Sequence, residues 1–191
     1  MRNIVFDIET KNTFRDVGSR HAADLDISVL AIYDSKTNEY SSFLEEEFGD
    51  LWPIIESADS LIGYNSNHFD IPLLNKYYHG DLTQIKSIDL LEAIYESLGR
   101  RIKLDDVAKA TLGEEKSGHG LQAVTWWKQG EIDKIREYCI QDVRVTKNIY
   151  DYALENGHLK YNQGKEIQEI PIDTTDWEKK ESTGMTHSMP F

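Results

Sequence analysis

Short apolar runs alternate along the first third of the chain with stretches in which apolar residues recur every three or four positions. Residues 1–10, Met-Arg-Asn-Ile-Val-Phe-Asp-Ile-Glu-Thr, are apolar and β-prone apart from two acids. Residues 27–33 are a second apolar run, 34–38 have turn composition and 39–44 alternate, which predicts a β-hairpin. Phe48, Leu51, Trp52, Ile54, Ile55 and Ala58 then fall at helical spacing, with Asp50 as a first-turn acid and Pro53 tolerable only near that start. Residues 60–64 are too short for a helix and read as a buried strand. The order β–β–β–α–β predicts an α/β domain built on a mixed sheet.

Beyond the sheet signals the pattern turns helical. Leu73, Leu74, Tyr77 and Tyr78 form a stripe whose helix starts near Asp70, with Pro72 in its first turn. Residues 87–99 predict an amphipathic helix closed by Gly99, and residues 105–112 a shorter one ended by Gly113. Residues 114–120 have loop composition. Trp126 and Trp127 sit at helical spacing from Leu121 and Val124; they are stacking platforms for bases or, for at least one of them, core. A last long helix runs from about 131 to 155 on Ile132, Ile135, Cys139, Val143, Ile149 and Ala153. After Gly157 the chain turns polar. The expectation is one domain, residues 1–157, followed by a weakly ordered appendage, 158–191, with an edge strand at 166–172.

Composition narrows the field. In 191 residues there is no apolar stretch long enough to span a bilayer and no basic-then-apolar leader before the first strand, so a cytoplasmic location without a membrane partner is expected. A single cysteine, Cys139, excludes an intrachain disulfide and a cysteine-rich zinc site, leaving carboxylates and histidines as metal ligands. A formal charge of −13 argues against a protein that grips long duplex on a broad basic face, but not against an enzyme that handles a short stretch of nucleic acid through bound cations. The densest basic cluster is Arg100, Arg101 and Lys103, the candidate contacts to phosphates. Lys11, Arg15, Arg20 and His21, in a polar loop over residues 11–27, either meet phosphates too or are simply solvated.

The acids carry the candidate chemistry. Residues i and i+2 of a strand share a face, so Asp7 and Glu9 lie together while Phe6 and Ile8 point the other way. Either a divalent cation such as Mg²⁺ sits between the two carboxylates, or the acidic face is solvated as at a sheet edge. Asp70 at a helix N-terminus is favoured by the helix dipole whatever its function, and is also a candidate ligand. Asp142 stands beside the packing stripe of the last helix, a costly position unless it is paired or metal-bound, and Tyr138 lies one turn before it on the same face. His68, alone in a turn, is left outside the site.

Read together, Phe6-Asp7-Ile8-Glu9-Thr10, Asn65-Ser66-Asn67-His68-Phe69-Asp70 and Tyr138-Cys139-Ile140-Gln141-Asp142 resemble the DxE, NxxxFD and YxxxD motifs of the DEDD exonuclease superfamily, in order and spacing. The likeness is to the 3′→5′ proofreading exonuclease domain of family B DNA polymerases and its free-standing bacterial relatives, and covers about residues 1–155. It implies a ribonuclease H-like fold, a central mixed sheet flanked by helices. Glu137 stands where the histidine variant of the superfamily carries histidine, so the resemblance is to the tyrosine variant, DEDDy.

The resemblance further implies that Asp7, Glu9, Asp70 and Asp142 hold about two Mg²⁺ or Mn²⁺ ions roughly 3.5–4 Å apart. Tyr138 then orients the attacking water, since a phenol with a pKa near 10 is a poor general base. Asn65 and Phe69 position the terminal nucleotide. The implied partner is nucleic acid with single-stranded or frayed 3′ ends, DNA before RNA, and the implied reaction releases nucleoside 5′-monophosphates, in DNA repair, end trimming or RNA turnover. An RNA exonuclease, an endonuclease of the same fold and a nucleic-acid-binding module with an idle site are the alternatives.

Overall fold

The computed structural model of the chain describes residues 1–114, 121–164 and 166–179. Asn3–Thr10 (β1) is the middle strand of a five-stranded sheet. Ile4, Val5, Phe6 and Ile8 are all buried, so both faces of the strand need cover, and a central position supplies it. Phe14–Val17 (α1) follows, started by a capping box in which Thr13 and Asp16 bond each other's backbone amides. Ile27–Asp34 (β2) pairs antiparallel with β1, and Glu39–Phe43 (β3) pairs antiparallel with β2 as the hairpin pattern predicts. After Phe48–Glu56 (α2), Ser60–Gly63 (β4) lies parallel to β1 on its other side. After Asp70–Asn75 (α3), Ser87–Asp89 (β5) lies parallel to β4, giving the order β3-β2-β1-β4-β5. The fold is α/β with a mixed central sheet, as read from the sequence.

Leu90–Leu98 (α4), Leu104–Leu112 (α5), Leu121–Gln129 (α6) and Ile132–Asn156 (α7) complete the α-helices among the described residues. Strand alternation divides the core into two. Ile4, Phe6, Ile8, Leu30 and Ile32 face one way and pack with Leu51, Ile55, Leu73 and Leu74. Val5, Val29, Ala31 and Ile62 face the other and pack with Cys139, Val143 and Ile149 of α7. Asp7 and Glu9 follow Val5 in the alternation, so they point at α7.

Three expectations change. Ser87–Asp89 is strand, not the first turn of a helix, because Asp89 is the N-cap: its carboxylate accepts from the amides of Leu91 and Glu92, and α4 begins only after it. The 11–27 loop is not wholly polar surface, since a 3₁₀ turn at Ala22–Asp24 buries Ala22 and Leu25. After Gly157, His158–Gln163 (β6) and Glu166–Pro171 (β7) form an antiparallel hairpin where only an edge strand at 166–172 was expected. Leu159, Tyr161, Ile170, Ile172 and Trp177 are buried in the α7-side core, and Trp177 stacks on Tyr150 with ring centroids 5.3 Å apart. The stretch is anchored through at least Trp177; its apolar residues are thinly spaced because each strand shows polar side chains outward. Residues 115–120, read as loop, and 180–191 of the expected appendage lie outside the described residues.

One ion pair ties the sheet's start together. The Arg2 guanidinium forks onto Asp34 at the end of β2, with Nε to Oδ1 at 3.1 Å and Nη2 to Oδ2 at 2.6 Å, and the Arg2 amide donates to Asp59 just before β4. Asp34 is buried, and its hydrogen bond from Arg2 holds the carboxyl below its ordinary value against the opposing effect of burial. A depressed folded-state value stabilises the protein at pH above the unfolded carboxyl's titration and ceases to do so as pH falls through the folded one. Asp34→Asn should therefore cost about 1–3 kcal/mol at neutral pH, and its deficit in thermal melts should shrink as the buffer is taken below about pH 4.

Candidate active site

The register of β1 against β2 slips between Glu9 and Thr10, a bulge at the strand's last residues. Bulges re-aim side chains, and this one lies beside the acids. Asp7, Glu9 and Asp142 each offer a carboxylate oxygen, and these atoms lie within 4.8 Å of one another. Glu9 and Asp142 are buried and Asp7 is half-buried. Asp142 reaches the strand because α7 lies directly over it: Cys139, one turn earlier, brings its sulfur 3.3 Å from the Asp7 carbonyl oxygen and 3.6 Å from Asp7 Oδ2. With β1 central in its sheet, the solvated-edge alternative for Asp7 and Glu9 is removed.

Asp70 arrives by a different route. The turn between β4 and α3 is pinned by Asp89, whose Oδ1 accepts from the Asn65 amide at 2.7 Å and whose Oδ2 accepts from the Asn67 amide at 3.0 Å. Asn65 has φ of 67°, a left-handed conformation that asparagine tolerates better than most residues. Gly63 is required by space: a Cβ there would stand 2.4 Å from the Ser66 Cβ. The tight turn delivers Asp70 to the cleft as the first residue of α3. Burial pushes its carboxyl above the ordinary value, the charges of Asp7 and Asp89 push the same way, and hydrogen bonds with its own amide and that of Ile8 pull back. Asp70 shares the cleft with Asp7 and Glu9, while the tight trio is Asp7, Glu9 and Asp142.

The cleft has a volume of about 440 Å³. Asn65 and Phe69 line it, as the motif reading expects, and so do Phe14, Tyr64, Leu121 and Val124, which sequence reading did not assign to the site. Phe14 meets Phe69 edge-on at 6.1 Å, and Leu121, with 71% of its surface exposed, is an apolar side chain held in solvent at the cleft. The available signal was Phe14 itself, an aromatic in an otherwise polar loop. Tyr138 is buried on α7, with the Trp126 ring edge-on to it at 5.8 Å; Trp127 lies under Lys11 Nζ at 5.0 Å.

The basic cluster divides. Arg101 donates to Asn65 Oδ1 and so stands beside the cleft. Arg100 instead lies over the ring of Tyr161 at 4.9 Å, against the hairpin, and Lys103 is the N-cap residue of α5. None of the three is among the residues lining the cleft.

The donor set fits a hard divalent cation. Three carboxylate oxygens converge from two elements, a fourth buried carboxylate shares the cleft, and ions such as Mg²⁺ take oxygen ligands while keeping several waters. Burying this much negative charge is costly unless a positive charge accompanies it.

The fold also occurs in solved proteins. A family B DNA polymerase from the hyperthermophilic archaeon Pyrobaculum calidifontis is similar at a TM-score of 0.62 and 20% sequence identity, over 81% of this chain. The similarity covers 24% of that polymerase, so the chain corresponds to about a quarter of its length. Among curated proteins no match is found. At the level of sequence, residues 4–154 match the model of the RNase_H superfamily, from the strand that carries Asp7 to the helix that carries Asp142. The chain belongs to the RNase_H superfamily.

Proposed function

We propose that the protein is a divalent-metal-dependent 3′→5′ exonuclease that shortens single-stranded nucleic acid, DNA before RNA, and releases nucleoside 5′-monophosphates. The observation that carries this reading is the convergence of Asp7, Glu9 and Asp142 within 4.8 Å beside a cleft shared with Asp70. Membership in the RNase_H superfamily supports a nuclease, and the order and spacing of the DxE, NxxxFD and YxxxD motifs support the exonuclease subtype.

Asp7, Glu9, Asp70 and Asp142 would hold the ions, about two, which when bound supply an activated water and neutralise charge at the leaving 3′ oxygen. Tyr138, one turn before Asp142, hydrogen-bonds and orients that water. Phe14, Phe69 and Leu121 give the terminal nucleoside an apolar wall, and Asn65 gives it a polar contact. A cleft of about 440 Å³ is of small-ligand size, which suits one nucleoside at a chain end better than a strand passing through. The charge of −13 makes blunt duplex the poorer substrate.

Digestion of labelled oligonucleotides with Mg²⁺ or Mn²⁺ tests the reading. Linear single-stranded DNA should shorten stepwise from its 3′ end, blunt duplex should be attacked more slowly, and a bulky 3′ block should stop the reaction. Circular single strands cut as fast as linear ones would show an endonuclease instead, and RNA degraded faster than DNA would reverse the substrate preference.

Asp7→Asn should lower turnover about a hundredfold or more while leaving the ion-free protein at least as stable, since one of several clustered negative charges is removed. Tyr138→Phe should reduce kcat by about tenfold or more with KM little changed; equal kcat in the two proteins would remove the tyrosine from the reaction.

Ions that bind only the folded state stabilise it by mass action. At one hundred times its Kd, Mn²⁺ should add about 2.7 kcal/mol, a rise of about 5–10 °C in Tm. An Asp7→Asn/Asp142→Asn double variant should show little of that rise in the same scan.

A further inference from the structure

On the far side of Asn65 from the acids lies a second cavity of about 530 Å³, lined by Asn65, His68, Leu91, Glu92, Tyr95, Glu96 and Arg101. Asn65 lines both cavities, so the two adjoin at one side chain. Its oxygen accepts from Arg101, which fixes the guanidinium at the boundary. Tyr95 projects from α4 with 54% of its surface exposed, although it falls within the apolar stripe of that helix. A large aromatic kept in solvent at the rim of a cavity is a stacking surface. Glu92 and Glu96, four residues apart on α4, share that wall. Carboxylates there disfavour a phosphate inside the cavity but accept hydrogen bonds from the amino and imino groups of a base.

We infer that this cavity is a subsite for the base of the penultimate nucleotide, stacked on Tyr95. The inference rests on the exonuclease reading: with the terminal nucleoside against Phe14 and Phe69 and the scissile phosphate at the acids, the next base along the strand meets the cavity beyond Asn65. The donors of Arg101 not used on Asn65 then face the phosphate that follows. The strand is read through two bases, the first against an apolar wall and the second against a tyrosine and two carboxylates. The carboxylates can accept from the amino groups of adenine, cytosine and guanine, whereas thymine offers them only its N3–H imino group.

Equilibrium binding separates this inference from the catalytic reading. The Asp7→Asn variant is mixed with a single-stranded DNA oligonucleotide carrying fluorescent 2-aminopurine second from its 3′ end, and then with one carrying it ten positions inward. Fluorescence should change on binding for the penultimate probe alone, and Tyr95→Ala in the same background should abolish that change and weaken binding about tenfold. Tyr95→Phe, which keeps the ring, should restore both. In the active protein, an abasic residue at the penultimate position should raise KM about tenfold with kcat little altered, and Tyr95→Ala should be insensitive to it. A Tyr95-dependent signal without hydrolysis would keep the subsite and overturn the exonuclease. Hydrolysis with equal signals from the two probes, or with full sensitivity to the abasic residue in Tyr95→Ala, would overturn the subsite.

Discussion

Mutual repulsion among carboxylates works against the packing of β1 on α7, and that packing is what brings Asp142 to Asp7 and Glu9. The strand and helix are held by the apolar contacts around the acids: Val5, Val29 and Ala31 from the sheet against Cys139 and Val143 from the helix, all buried. Fully burying an aliphatic side chain contributes about 1.5–3 kcal/mol, so a handful of these contacts outweighs the repulsion of a few partly screened charges. Asp70 is held by other means. Its turn hangs on the Asp89 carboxylate and on the absence of a side chain at position 63. The end of the sheet that carries the acids is thus fixed by groups that take no part in the proposed reaction.

Much of this was legible. Strict alternation over residues 1–10 places Asp7 and Glu9 on one face without any tertiary information, and the four-residue spacing of Tyr138 and Asp142 does the same on a helix. The hairpin, the buried strand at residues 60–64 and the long last helix follow from period and turn composition. What escaped depends on packing between distant segments. Ser87–Asp89 is too short to show a period, and only its pairing with β4 makes it a strand. The 158–171 hairpin spaces its buried side chains so thinly among polar ones that its anchoring on α7 leaves almost no local trace.

The site illustrates the same division. Motif spacing carries the acids, the tyrosine and the Asn65–Phe69 pair, because each depends on a local turn or period. Phe14 and Leu121 carry no such signal; they reach the cleft because α1 and α6 pack at its two sides. Adjacent basic residues also look alike in sequence until a partner is known: Arg101 meets Asn65 while Arg100 meets Tyr161, since neighbouring side chains leave the backbone in different directions.

Asp7 and Glu9 belong to the first strand and Asp142 to the last long helix, and the distance between them along the chain governs when the trio can exist. As the polypeptide leaves the ribosome, the two strand acids are exposed long before their partner is made. A nascent chain therefore has no three-carboxylate cluster to concentrate divalent ions. Any ion affinity of the trio therefore arises only once the helix has closed over the sheet, which couples ion binding to the completion of folding.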